Sequence, residues 1–178
     1  EDSTLTSLWF KDISIPARTT ELYACAKIVG DLRDEVSEQT VDKAKAFLQT
    51  VKNADFATEV EGKIVQASKL LPGQPAFDFE MEDVEGNVKH LADFKGKVIY
   101  IDLWATWCGP CIQESPAFEA LGKKYAGKDI VFLPVSTDTT TKPWLGYLDA
   151  HKKELTQYHS NDVALKESWA IMYIPRFI

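Results

Sequence analysis

The tetrapeptide Cys108-Gly109-Pro110-Cys111 directly follows the run Val98–Trp104, VIYIDLW. This junction constrains the fold more than any other feature of the chain. A near-continuous apolar run suits a buried central strand. A proline just inside the next element suits the first turn of a helix, where its missing N–H costs nothing. Three chemistries can use the cysteine pair. A structural zinc site needs about four ligands, yet the remaining thiol is Cys25, and His90, His151 and His159 are scattered without ligand spacing. Those histidines read as solvated or satisfied surface residues, and no metal is expected. An inert disulfide closing so short a loop would stabilise weakly. A redox pair explains every position. Cys108 would sit at a helix N-terminus, where free N–H groups and the helix dipole favour a thiolate, the attacking species. Gly109 would leave Cys108 accessible. Cys111, one turn on, would lie beneath it and resolve a mixed disulfide.

The remainder of the chain divides in two. From Thr19 to about Leu71, apolar residues recur at spacings of three and four, through Leu22, Cys25, Ala26, Val29 and Leu32, then Val41, Ala44, Leu48 and Val51, then Phe56, Val60, Ile64, Ala67 and Leu71. This predicts two or three helices, with Gly30 and Ser37–Thr40 as breaks. Residues 1–17 show no sustained periodicity. Leu71–Pro75, LPGQP, marks a boundary, so the expected division is 1–71, a helical segment, and 72–178, a second domain. In the second part FDFEM alternates as a strand does, a Gly-Asn turn follows, and NVKHL reads as the return strand. IVFLPVS is a second buried strand, and Pro116–Tyr125, Lys142–Leu155 and Ala164–Trp169 read as helices. Strand, helix, strand, helix is the order of an α/β sandwich with parallel strands.

Composition bears on partners. The chain is 45% hydrophobic and 26% charged, enough to bury a core. Its net charge of −7, without a polybasic run, argues against nucleic acid or anionic membrane as the main partner. The most apolar strand is short and carries Asp102, so no window reads as a membrane span. Membrane anchoring is expected only through a leader upstream of Glu1.

The segment DLWATWCGPC resembles the active-site region of the thioredoxin superfamily. The wider stretch from Pro75 to Pro116 resembles the TlpA/ResA-like branch of bacterial extracytoplasmic thiol–disulfide oxidoreductases, with Gly96-Lys97 before the central strand and Glu114-Ser115-Pro116 after the second cysteine. The resemblance covers about residues 72–178. It implies a thioredoxin-like three-layer α/β sandwich preceded by the helical segment, with an extra strand–helix insertion within Thr137–Asp162. It implies that Ile174-Pro175 is the cis-proline loop that faces the cysteines and pairs with substrate backbone. Asp102 matches the buried acid that moves the proton of the second cysteine. Trp107 matches the aromatic beside the nucleophile, and Glu114 a carboxylate near the site. Catalysis is therefore assigned to Cys108, Cys111, Asp102 and Pro175, and substrate contact to Trp107, Gly109, Pro110 and Ile174, with Glu114 as a modulator. Each has a plainer reading: Trp107 as packing, Asp102 as a solvent-facing strand residue, Glu114 as a solvated helix carboxylate, Pro175 as a loop proline. Cys25, on an apolar helical stripe, reads as a buried core thiol.

The implied activity is reduction of protein disulfides, with a thiol electron donor, no cofactor, and an extracytoplasmic setting. Cys-Gly-Pro-Cys is the dipeptide arrangement of thioredoxin, a reducing couple near −270 mV. Isomerase or oxidase activity is the related alternative. A peroxidase would need a Thr-x-x-Cys that this chain lacks, since Ala105-Thr106-Trp107 precedes Cys108. A partner-binding module on a redox-like scaffold is the non-enzymatic alternative. A thioredoxin fold also has, after its cis-proline, a strand, a hairpin to an edge strand and a helix. Arg176, Phe177 and Ile178 alone follow Pro175. The expectation is therefore a domain lacking its C-terminal strand and helix, within a longer protein or completed by another chain.

Overall fold

The computed structural model describes residues 16–178. The chain divides into two compact units, the first running to Pro75 and the second Ala76–Ile178. The unplaced stretch of the sequence reading, residues 1–17, lies almost wholly outside the described residues.

The first unit is helical. Its elements are α1 (Ala17–Asp34), α2 (Glu38–Leu48) and α3 (Ala54–Ser68). Cys25, Leu32, Val41, Ala44, Val60 and Ala67 form its buried core, one stripe from each helix. Polar caps start the second and third helices. Ser37 Oγ accepts from the Thr40 N–H at 3.2 Å, and Thr40 Oγ1 accepts from the Ser37 N–H at 3.1 Å, a reciprocal pair. Asn53 Oδ1 accepts from the N–H groups of Asp55 and Phe56. The expected break at Ser37 is present. Gly30 is not a break: it lies inside α1. A helical glycine costs about 1 kcal/mol relative to alanine, and the burial of Cys25 and Leu32 on either side outweighs that.

The second unit is built on a six-stranded sheet of order β2-β1-β5-β4-β3-β6. Strands β1 (Met81–Glu82) and β2 (Val88–Lys89) form an antiparallel hairpin. Its turn is organised by Asp83, whose carboxylate accepts from the N–H groups of Glu85 and Asn87, and by Gly86 at φ +83°. A 3₁₀ turn, Leu91–Phe94, leads through Gly96 into β3 (Val98–Trp104). Then come α4 (Gly109–Lys124), β4 (Ile130–Ser136), α5 (Thr141–Ala150), β5 (Tyr158–His159), α6 (Val163–Ser168) and β6 (Arg176–Phe177). Strands β3 and β4 run parallel, as do β4 and β5, whereas β6 pairs antiparallel with β3. Between Thr137 and Asp162, where a strand–helix insertion is expected, the chain forms α5 followed by β5, a helix before a strand.

Period-two alternation sorts the two central strands into faces. Ile101, Leu103, Leu133 and Val135 enter the core with Phe79, Met81, Tyr158 and Leu165. The opposite face carries Tyr100, Asp102 and Trp104, in register with Phe132, Pro134 and Ser136. Tyr100 and Phe132 meet Phe118 of α4 there, so α4 covers this face. The helix expected to reach Leu155 stops at Ala150. Beyond it, the N–H groups of Glu154 and Leu155 bond Glu119 of α4 instead of continuing a helical ladder. No helix among the described residues is long and apolar enough to cross a membrane.

Candidate active site

Strand β3 ends at Trp104, and the next residues turn the chain into α4. Ala105 C=O accepts from the Cys108 N–H at 3.0 Å, closing this turn. Cys108 is the N-cap of α4, and its Sγ accepts from the Cys111 N–H at 3.2 Å. The sulfur therefore occupies the position of a capping oxygen, at the positive end of the helix dipole. Cys108 and Cys111 are joined by a disulfide, with Cα atoms 5.3 Å apart. Pro110 lies in the first turn, as the spacing predicts. A Cβ placed on Gly109 would meet no atom within 4 Å, so the space beside the disulfide is open.

The expectation that Cys108 is accessible needs correction. Cys108 is 5% exposed and Cys111 1%. Both cysteines belong to a buried cluster with Trp104, Ala105 and Trp144, and Ile174 packs against it. The bond to Cys111 and these apolar neighbours cover Cys108 in the oxidised state. Trp107, by contrast, is 71% exposed, which removes the packing interpretation. The Ile174–Pro175 peptide is cis, and Ile174 brings that loop to the cysteines.

Asp102 is 2% exposed on the sheet face that α4 covers, and its Oδ1 has no hydrogen-bond partner among the described residues. Its pKa is pushed up from the usual 3.8 to about 7. Desolvation is the main cause. The charge of Lys153 opposes the shift and that of Glu114 adds to it. Glu114 itself is exposed on α4. It is a solvated helix carboxylate in position, yet its charge is felt at Asp102.

Sequence reasoning missed three groups near the site. Asp138, 2% exposed, lies just after β4. Its carboxylate accepts from the Thr106 N–H at 3.0 Å, the Thr106 hydroxyl at 2.8 Å and the Ser136 hydroxyl at 2.8 Å, and so fixes the residue two before Cys108. His159 contradicts the surface reading of the histidines. It is buried, tilted on Trp144, with one ring nitrogen 3.2 Å from Glu82 Oε1 and the other 2.8 Å from the Asp138 carbonyl oxygen. Lys153 reaches from the loop after α5 to Ser115. No local pattern marks these residues. The nearest signal was three polar residues, Ser136, Thr137 and Asp138, closing an apolar strand.

The AhpC/TSA family matches residues 72–168 of this chain, more than half its length. The chain belongs to the AhpC/TSA family. Within the second unit the matched segment supplies strands β1 to β5, α4 and the cysteine turn, whereas β6 and the Ile174–Pro175 loop lie beyond it. Curated relatives include the thiol-disulfide oxidoreductase ResA of Bacillus thuringiensis, 35% identical over 83 residues (47% of this chain, 48% of the relative). The thioredoxin-like protein YneN of Bacillus subtilis is 50% identical over 56 residues, 32% of this chain and 33% of the relative. The chain thus spans a third to a half of the length of these relatives. Among solved structures, a candidate thiol-disulfide oxidoreductase of Bacteroides vulgatus is 95% identical over 62% of this chain and 79% of that one, with a TM-score of 0.62. The thioredoxin domain of another Bacteroides vulgatus thiol-disulfide oxidoreductase is 28% identical over 60% and 78%, with a TM-score of 0.55.

Proposed function

We propose that the protein is a thiol–disulfide oxidoreductase that reduces protein disulfides through Cys108 and Cys111. The observation that carries this reading is the position of Cys108 as the N-cap of α4, its sulfur taking the Cys111 N–H and bonded to Cys111. In the reduced protein that site stabilises a thiolate on Cys108. The thiolate attacks a substrate disulfide and releases one substrate thiolate. Cys111 gives its proton to the Asp102 carboxylate and attacks Cys108 Sγ. The second substrate thiolate leaves, the substrate has gained two electrons, and the protein is left with the Cys108–Cys111 disulfide.

Trp107, open Gly109 and Pro110, and the Ile174–Pro175 loop frame the face where substrate backbone would approach. A thiol donor returns the protein to the dithiol. The Gly-Pro dipeptide supports a reducing couple, and likeness to ResA supports an extracytoplasmic setting. The test is trapping. Cys111→Ser should hold Cys108 in mixed disulfides with protein substrates that dithiothreitol releases, whereas Cys108→Ser should hold none. Equal capture by both variants, or insulin reduction surviving Cys108→Ser, would refute the reading. A midpoint near that of DsbA, about −120 mV, would make the protein an oxidant instead.

A further inference from the structure

Loop 151–157, between α5 and β5, is fastened along one stripe of α4. Ser115 bonds the Lys153 ammonium, and Glu119 accepts from the N–H groups of Glu154 and Leu155 and from the Gln157 side-chain amide. Lys123 pairs with Glu154. A Cβ on Gly122 would come within 2.6 Å of Leu155 Cδ2, so the leucine fills the space that glycine leaves. Positions 115, 119, 122 and 123 recur at helical spacing, on the stripe that begins at Cys111. This fastening delivers one cation to the redox layer. The Lys153 ammonium lies 5.9 Å from the Trp104 ring centre and 5.6 Å from that of Tyr147. Ser115 is one turn beyond Cys111 on α4, and Trp104 is two residues beyond Asp102 on the same face of β3. The ammonium is thus held between the helix face of Cys111 and the strand face of Asp102.

We propose that Lys153 is a positioning residue for the resolving step, its charge holding the Asp102 carboxylate ready to take the Cys111 proton. This rests on the dithiol reading above. The charged groups acting on Asp102 are Lys153, from the loop, and Glu114, from α4, with opposite signs. Its neighbours in the ladders, Pro134 of β4 and Phe177 of β6, carry no charge. The buried acid cannot ionise cheaply without a nearby cation, and Lys153 supplies that cation from a segment distant in sequence.

Stopped-flow reaction of the reduced protein with an equivalent of 5,5′-dithiobis(2-nitrobenzoate) separates the steps. The first thionitrobenzoate released reports attack by Cys108, and the second reports resolution by Cys111. In Lys153→Gln, the pH midpoint of the second phase should rise by roughly half a unit to one unit, and by more than that of the first. Lys153→Arg should restore it toward the wild type. An unmoved or lowered midpoint in Lys153→Gln overturns the proposal. If that variant does not fold, Ser115→Ala decides, because it frees the ammonium without removing charge. Its second-phase midpoint should rise by a smaller amount, and no rise overturns the proposal. A wild type that never releases the second thionitrobenzoate refutes the dithiol reading itself, and the role of Lys153 with it.

Discussion

Asp102 stands in register with Pro134 across the parallel β3–β4 ladder. The proline ring offers the carboxyl neither a hydrogen-bond donor nor a charge. Burial raises the Asp102 pKa to about 7 even against the opposing charge of Lys153, and an ionised Asp102 costs the folded state stability.

That cost has a definite pH window. The folded-state pKa lies above the unfolded value, so between about pH 4 and 7 the folded state holds more protons than the unfolded one. Stability therefore falls as pH rises through this window and stays low above it. The gap corresponds to roughly 4 kcal/mol at full ionisation. Asp102→Asn removes the titration. The oxidised variant should be more stable than the wild type at pH 8, by up to that amount, and nearly equal at pH 4. Urea unfolding at the two pH values measures the difference. In the reduced protein the same substitution should slow resolution of the mixed disulfide more than its formation.

Glu114 acts with the opposite sign to Lys153. Its charge raises the Asp102 pKa, so Glu114→Gln should lower the pH midpoint of the resolving phase. Because Glu114 is exposed, salt should shrink the effect. An unchanged midpoint at low ionic strength would remove Glu114 from the site.

Much of this architecture was legible in the chain. VIYIDLW and IVFLPVS are long apolar runs, and each forms a seven-residue parallel strand because both faces are covered. The cysteine spacing placed Cys108 at a helix start, and the cis peptide at Ile174–Pro175 was expected from resemblance. Lys153 was not legible: a lysine between Lys152 and Glu154 looks like any solvated charge. Its role depends on where loop 151–157 lands on α4, which pairs residues 38 apart. Asp138 and His159 were hidden for the same reason. The burial of Cys108 is not legible from its open glycine neighbour, because Trp104, Trp144 and the bond to Cys111 decide it.

Asp138 has three donors that depend on it: the Thr106 N–H, the Thr106 hydroxyl and the Ser136 hydroxyl. Truncation strands them in a buried setting. Asp138→Ala should destabilise the protein by about 2–4 kcal/mol, measured as a fall in the urea midpoint. Asp138→Asn retains an acceptor oxygen and should lose less. A midpoint within experimental error of the wild type in Asp138→Ala would show that water or relaxation replaces these bonds.

Cys25 should stay silent in the native protein. It is 2% exposed in the helical unit, its Sγ 3.9 Å from both the Phe56 carbonyl oxygen and Glu59 Oε2. Burial and the Glu59 charge raise its pKa, so its thiolate is scarce at neutral pH. Iodoacetamide applied to the reduced native protein at mildly acidic pH should label Cys108 first. Cys25 should label on unfolding. Mass mapping of the label before and after guanidinium treatment distinguishes the two. Early labelling of Cys25 would contradict the packing of this helical core.

Trp107, next in sequence to Cys108, is a large apolar side chain that is 71% exposed. Such exposure yields no folding stability, so Trp107→Ala should leave the thermal midpoint nearly unchanged. Binding is where the ring would matter. Exposed aromatics give large contact area at small entropic cost, and they dominate interface energetics. A small disulfide touches the sulfur and little else, whereas a protein disulfide brings backbone and side chains across Trp107 and Ile174. Trp107→Ala should therefore slow reduction of insulin more than reduction of oxidised glutathione, with the difference expressed mainly in KM. Parallel steady-state assays with the two substrates give the ratio. Equal slowing of both would place the tryptophan's effect on the cysteine chemistry and not on substrate contact.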